Sequence, residues 1–198
     1  KDNIYVMEKA LGVQFNKFVD YLGQNGKQIT KKEIGLLLLN YFKVFFEQLL
    51  SVPKAGMKVM HADPHPGNVF IDMDNRTTPF TFIDTGNVLR YTPEEAITNT
   101  FNHLDYLIGN TNAIAKTMLR GASLPEGMTK EDAIMLLTKE LNEKIYNNKQ
   151  KLPIAMIKTV NDFCLETMEK YHIISNPNNT NLLKAESTYL SNIISLQG

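Results

Sequence analysis

Cysteine occurs once in the 198 residues and arginine three times. The single Cys164 excludes an internal disulfide framework and any cysteine-based zinc site. Arg76, Arg90 and Arg120 stand against 18 lysines. That leaves few planar forks for bidentate phosphate clamps and makes metal-mediated binding the expected route for a phosphate ligand. An excess of charge is also missing. Basic and acidic residues both number 21, for a formal net charge of zero, so the footprint of a general nucleic-acid binder is absent and no nucleic-acid partner is expected. Long hydrophobic runs are lacking too. The most apolar stretch, Ile34 to Leu50, is interrupted by Asn40, Lys43, Glu47 and Gln48, short of the roughly 18 uninterrupted apolar residues that span a bilayer. The N-terminal Lys1-Asp2-Asn3-Ile4-Tyr5-Val6-Met7-Glu8 has neither the apolar run nor the cleavage site of a signal peptide and reads as a chain already inside a strand. Asn-x-Thr acceptors at Asn75 and Asn178 would matter only in a secreted protein, which nothing else in the sequence suggests.

Apolar residues make up 43% of the chain, enough to bury a core and incompatible with disorder or a collagen-like architecture. A β-prone run at Ile4–Met7 leads through Gly12 to Phe15, Phe18, Val19 and Leu22, spaced for a short helix ending near Gly23. Thr30-Lys31-Lys32-Glu33 has the form of a capping box and opens a central helix over 31–50. Its apolar residues, from Ile34 through Tyr41, Phe42, Phe45 and Phe46 to Leu49, cover most of its circumference, which predicts neighbours on several sides. A loop punctuated by Pro53, Gly56, Pro64, Pro66 and Gly67 ends in two β-prone runs, Val69–Ile71 and Phe80–Ile83, read as a hairpin around Asp72–Arg76. After Gly86 the chain is expected to turn helical. Thr92-Pro93-Glu94-Glu95 supplies an N-cap, a first-turn proline and two carboxylates. Further helices are expected at about 112–120, 130–147, 153–171 and 181–195, with an Asn-rich turn at 176–181. The fold class is mainly α with a small β-hairpin.

Two polar clusters lie in loops between apolar elements: His61-Ala62-Asp63-Pro64-His65-Pro66-Gly67-Asn68, and Asp84-Thr85-Gly86 at the end of the hairpin. They fill the His-x-Asp-x-x-x-x-Asn and Asp-x-Gly templates of phosphoryl transfer. There, one Asp accepts the acceptor hydroxyl's proton, while the Asn and the second Asp hold Mg²⁺ against the ATP phosphates. Hard oxygen donors suit Mg²⁺, which takes few protein carboxylates and completes its octahedron with phosphates and water. Gly86 is expected to permit a tight path after Asp84. On the residues alone, His61, Asp63 and His65 could instead ligate a hydrolase metal.

His-Ala-Asp-Pro-His-Pro-Gly-Asn followed by Ile-Asp-x-Gly closely resembles the UbiB family of atypical, protein-kinase-like proteins associated with coenzyme Q biosynthesis. Val6-Met7-Glu8-Lys9-Ala10-Leu11-Gly12 resembles the family's hinge, Tyr91-Thr92-Pro93-Glu94-Glu95 the start of its helix after the metal loop, and Leu182-Leu183-Lys184-Ala185 its last helix. The resemblance implies the C-lobe of a kinase-like fold, one domain divided into a hinge strand and linker (1–12), central helix (31–50), catalytic and metal-binding loops (57–91) and helical subdomain (92–198). Asp63 is then the catalytic base, and His65 takes the place of a phosphate-contacting Lys. Asn68 and Asp84 are the Mg²⁺ ligands, and the backbone of Glu8 to Ala10 faces the adenine of ATP.

Because the sequence starts at the hinge, the nucleotide-clamping N-lobe is expected to be absent and these residues alone inactive. By the same resemblance the complete protein binds ATP and Mg²⁺ for phosphoryl transfer or ATP hydrolysis. Its partners would be lipid or quinone-pathway proteins, with peripheral membrane contact and an intracellular, membrane-associated or organellar setting. Rival readings are a small-molecule phosphotransferase of the aminoglycoside or choline kinase type, which also uses His-x-Asp-x-x-x-x-Asn and Ile-Asp-x-x, and a pseudokinase scaffold, suggested by Thr85 where the family turn carries Phe and by the expected lack of the N-lobe. His61 is read as a core histidine bracing the loop and His103 and His172 as packing or surface residues on helices. Cys164 is read as a buried hydrophobe, and Lys149, Lys151 and Lys158 as a solvated helix end.

Overall fold

The computed structural model describes residues 9–26, 28–50, 56–147 and 153–196. The β-prone run at Ile4–Met7, together with Glu8, Lys149 and Lys151, lies outside them. The chain runs through β1 (Val13–Gln14), a 3₁₀ turn (Phe15–Lys17), α1 (Phe18–Gln24), α2 (Lys31–Leu50), β2 (Lys58–His61), β3 (Val69–Ile71), β4 (Phe80–Phe82) and β5 (Val88–Tyr91). It continues as α3 (Pro93–Ile108), α4 (Thr111–Met118), α5 (Lys130–Leu141), a π-helical turn (Asn142–Tyr146), α6 (Pro153–Lys170) and α7 (Pro177–Ser195).

Caps decide where the helices start. The Thr30 side chain accepts from the Glu33 amide over 3.2 Å and Glu33 accepts from the Thr30 amide over 2.8 Å, so two amides that a helix N-terminus leaves unpaired are satisfied. Thr92 with Glu95 and Thr129 with Asp132 repeat the device at α3 and α5. Asn176 caps α7 and Pro177 occupies its first turn, so the Asn-rich segment expected as a turn is already helical. The helix expected over 130–147 holds α geometry only to Leu141 before its π turn. His172 is not helical interior: it ends α6 in the left-handed region, at φ 56°, while Ile173 donates back to the Met168 carbonyl.

Strand pairing exceeds the single hairpin that the sequence suggests. β3 and β4 do form it, with Val69 opposite Phe82 and Ile71 opposite Phe80, and β1 adds to the outer edge of β3. A second antiparallel pair, β2 with β5, matches Lys58 to Tyr91 and His61 to Val88. The chain after Gly86 therefore passes through a strand before α3. Gly12 makes the β1 contact possible: it sits at φ +88°, and a Cβ there would lie 2.1 Å from the Ile71 carbonyl oxygen.

Helix α2 is covered on one face rather than on several sides. Leu37, Tyr41, Phe45 and Leu49, spaced four apart, are buried against β2, α3 and α7, whereas Leu36, Leu39 and Phe46 are exposed. A four-residue stripe with Lys43 and Glu47 turned outward is the ordinary amphipathic solution. The buried stripe meets Tyr189 of α7 and Phe80 and Phe82 of β4 in a ring cluster centred on Tyr41, with ring centroids 4.9–6.3 Å apart. That cluster lies directly beneath the polar loops. Among the described residues no helix is long and apolar enough to cross a membrane.

Candidate functional site

Both polar clusters occupy connections between the two sheets. Residues 62–68 lead from β2 to β3, and 83–87 lead from β4 to β5. Pairing β3 with β4 and β2 with β5 forces the two loops to lie side by side. The Ile83 amide donates to the Asn68 carbonyl over 2.9 Å, and the Ala62 amide donates to the Asn87 carbonyl over 3.0 Å. The residue after Ile83 is Asp84, so Asp63, Asn68 and Asp84 are brought to one edge of the molecule.

The longer loop is tied along its length. His61 is buried and fills the gap between the loops. Its Nε2–H donates to the Ile83 carbonyl over 2.9 Å while Nδ1 accepts from the Asp63 amide over 3.2 Å. A single neutral tautomer satisfies both bonds. With both ring nitrogens committed, His61 braces the loop and is unavailable as a metal ligand. Among the described residues no three His, Cys, Asp or Glu side chains converge on a metal position, so a hydrolase metal held by His61, Asp63 and His65 does not fit.

Four further ties come from residues that the motifs do not contain. Gln48 of α2 accepts from the His61 amide over 2.9 Å, and Asn192 of α7 donates to the Pro64 carbonyl over 2.8 Å. Gln14 of β1 donates to the Gly67 carbonyl over 3.0 Å and the Asn16 amide to the Pro66 carbonyl over 3.4 Å. Gln48 reads in the sequence as a mere interruption of an apolar helix. A polar residue embedded in a buried stripe, which must find a partner, is the signal that could have singled it out.

The side chains with chemistry face outward from this frame. Asp63, His65 and Asp84 are exposed and Asn68 is half-buried. The Asn68 amide nitrogen donates to the Asp63 carbonyl over 3.2 Å, which leaves its Oδ1 uncommitted. Among the described residues neither the Asp63 nor the Asp84 carboxylate has a hydrogen-bond or ion-pair partner. As a donor set, the Asn68 Oδ1 and Asp84 carboxylate fit Mg²⁺, a hard cation that takes one or two carboxylates and fills its remaining positions with phosphate and water oxygens. His65 Nδ1 accepts from the Gly67 amide over 3.1 Å, closing the turn that presents Asn68.

Backbone strain in the shorter loop falls on Asp84, not on Gly86. Asp84 stands at φ 58°, one of two non-glycine residues with positive φ among those described. Such conformations cost energy and persist where the surroundings impose them. The glycine contributes space instead: a Cβ on Gly86 would sit 3.4 Å from the Asp84 carboxylate. Of the expected adenine-facing segment Glu8 to Ala10, Lys9 is exposed and Ala10 half-buried, and both precede the Gly12–Val13 contact with β3. That contact is at Ile71, the opposite end of β3 from Asn68 and about 10 Å from it along the strand at the usual rise.

Residues 1–118 match the ABC1 atypical kinase-like domain. Over 112 residues the chain is 33% identical to a probable protein kinase UbiB of Photobacterium profundum, covering 52% of this chain and 18% of that protein. The chain thus corresponds to a small part of the length of that relative. No solved structure matches it. The domain match covers more than half of the residues and contains both loops, and with the UbiB relative it establishes that this chain belongs to the ABC1 atypical kinase-like family, of the UbiB type.

Proposed function

We propose that these residues form the C-lobe of an atypical kinase and contribute the catalytic and metal-binding loops of an ATP- and Mg²⁺-dependent phosphoryl transferase. One observation carries the reading. The backbone bond from Ile83 to Asn68 joins the two loops, which supports bringing together Asn68, whose side-chain oxygen is uncommitted, and Asp84, whose carboxylate, like that of Asp63, has no partner among the described residues.

Phosphoryl transfer needs positioning and charge stabilisation more than covalent help from the protein. Asn68 Oδ1 and Asp84 hold the metal, which when bound supplies positive charge to the phosphates. The Asp63 carboxylate, free of internal partners, orients the acceptor hydroxyl and takes its proton. His65 presents Nε2 outward toward phosphate oxygens. The resemblance to the family's hinge supports assigning the adenine to the segment Glu8 to Ala10, of which Glu8 lies outside the described residues. His61, Gln48 and Asn192 keep the loop from relaxing when charge accumulates at its tip. A scaffold without catalysis would need none of the three uncommitted oxygen donors. The UbiB relationship supports a setting in quinone or lipid metabolism, with ATP and proteins of that metabolism as partners and peripheral contact with a membrane.

The reading is tested by calorimetric titration of the full-length protein with Mg-ATP. Asp84→Asn removes the charge that holds the metal and is expected to abolish metal-dependent nucleotide binding while leaving the melting curve in place. Unchanged affinity in that variant would overturn the assignment.

A further inference from the structure

We infer that the cleft between the Asp63 loop and helices α6 and α7 is the acceptor subsite, and that it takes a small hydroxyl compound carrying an anionic group, with its hydroxyl at Asp63 and its anion at Lys184. The inference rests on the phosphoryl-transfer reading and names the class of acceptor.

The cleft has a volume of about 440 Å³, with Asp63 and Asn87 on one wall and Asp162 of α6 and Lys184 of α7 on the other. That volume lies toward the small end of small-molecule sites. Its lining is polar, and Ala62 and Leu165 are its only apolar side chains. A quinone ring or an acyl chain would find little surface to bury there, whereas a compound with several hydrogen-bonding groups would lose few bonds to water on entering.

The charges decide the rest. Asp162 is already used: its carboxylate accepts from Ser187 Oγ over 2.8 Å and from the Lys158 ammonium. Lys158, half-buried and paired with Asp162, is thereby tied to this wall rather than a solvated helix end. Thr188 is also committed, donating to the Lys184 carbonyl over 2.9 Å. Among the described residues the Asp63 carboxylate and the Lys184 ammonium have no partner, so the cleft presents one free anion and one free cation. A ligand that complements both offers a hydroxyl proton to Asp63 and a phosphate or carboxylate to Lys184. The Asn87 and Asn181 amides in the same lining can bond to further hydroxyls.

In the transfer the acceptor oxygen gives its proton to Asp63 as it forms a bond to the γ-phosphorus of ATP. The bond from that phosphorus to the bridging oxygen breaks, and its electron pair leaves on ADP. The α6–α7 wall lies outside residues 1–118, the part that matches the family domain. Acceptor choice is therefore built from a different part of the chain than the loops that handle the nucleotide.

The test uses the full-length protein with its lysines reductively dimethylated with ¹³C, and glycerol 3-phosphate and glycerol as a matched pair of probes. The Lys184 resonance, assigned by its loss in Lys184→Arg, is expected to shift saturably with glycerol 3-phosphate and to ignore glycerol. In ATP-dependent transfer the KM for glycerol 3-phosphate should be lower than that for glycerol by at least about tenfold, equivalent to one moderate ion pair. Lys184→Ala should erase this preference without changing the KM for ATP. Equal responses to the two probes, no response to either, or a Lys184→Ala variant that raises the KM for ATP would overturn the acceptor assignment. Failure of the wild type to bind Mg-ATP would instead overturn the phosphoryl-transfer reading itself.

Discussion

Asn192, near the end of α7, donates from one side-chain nitrogen to the Pro64 carbonyl over 2.8 Å and to the Tyr41 hydroxyl over 2.7 Å. One amide thus joins the last helix, the longest helix and the loop that carries Asp63. Gln48 makes a parallel junction, accepting from the His61 amide and from the Tyr189 hydroxyl, both over 2.9 Å. The segment after residue 118 is therefore structurally continuous with the loops inside the matched domain.

Asn192→Leu keeps the number and branching of the side-chain heavy atoms and removes both bonds, leaving a buried carbonyl and a buried phenol without a donor. Loss of stability of about 1–3 kcal/mol is expected, the range for orphaning buried polar groups. Chemical denaturation measures it. A change smaller than about 0.5 kcal/mol would mean that Pro64 and Tyr41 find other partners, and that α7 does not brace the loop.

These ties explain what was legible in the sequence and what was not. Thr30, Thr92 and Thr129 announce their helices because a cap is a contract between residues three apart. The loop motifs are legible because their chemistry demands fixed spacing. Asn176 and Pro177 also have a cap signature, but the run of asparagines around them resembles turn material. The β2–β5 pairing leaves a weaker trace. Lys58 points inward and breaks the apolar alternation, and Val88–Tyr91 sits directly against the cap of α3. Gln48 and Asn192 look like interruptions because their partners lie 13 and 128 residues away. No local pattern carries information over such separations. The circumference of α2 misleads for a related reason: apolar residues all round a helix do not say which face the rest of the chain will cover.

Asp63 is expected to matter for turnover far more than for ground-state binding, since its proposed role begins only when the acceptor hydroxyl loses its proton. In the full-length protein, Asp63→Asn should hold Mg-ATP affinity within a small factor while steady-state turnover falls by about 10²–10⁴, the usual contribution of a positioned base. Parallel loss of affinity and rate would assign Asp63 to the metal or to the loop's architecture instead.

Lys58 is buried at the start of β2 with no partner for its ammonium among the described residues, and burial brings its pKa down to about 8. A folded value below the ordinary one of about 10.4 means that the charged form is disfavoured in the fold. Stability is then lower at neutral pH and rises as the pH climbs from about 8 toward 10.4. Lys58→Met keeps the aliphatic stem and removes the charge. It is expected to raise the melting temperature at pH 7 and to flatten that alkaline rise. A lower melting temperature at pH 7 would show that the ammonium has a stabilising role in the fold.

His103 behaves in the opposite sense. Its Nδ1 lies 2.5 Å from the Asn99 carbonyl and its Nε2 lies 3.3 Å from the Glu186 carboxylate, and both side chains are almost wholly buried. The Nε2–carboxylate contact is within ion-pair distance but outside hydrogen-bond geometry, so it is the Glu186 charge that favours the imidazolium. Burial alone would lower the pKa, but the charge and close approach of the Glu186 carboxylate and the bond to the Asn99 carbonyl outweigh it and leave the value raised. Asn161 donates to the other Glu186 oxygen over 2.9 Å, which holds the carboxylate in place for the pair. Since the folded value lies above the ordinary one of about 6.5, the stabilisation is fully present below that pH and is lost as the pH rises through the folded value. Each unit of difference corresponds to about 1.4 kcal/mol. The expected result is a melting temperature that falls as the pH rises above about 6.5, and a His103→Gln variant that is less stable at pH 6 but lacks that fall. Identical slopes in the two proteins would show that the fall comes from some other group and that His103 stays neutral beside Glu186.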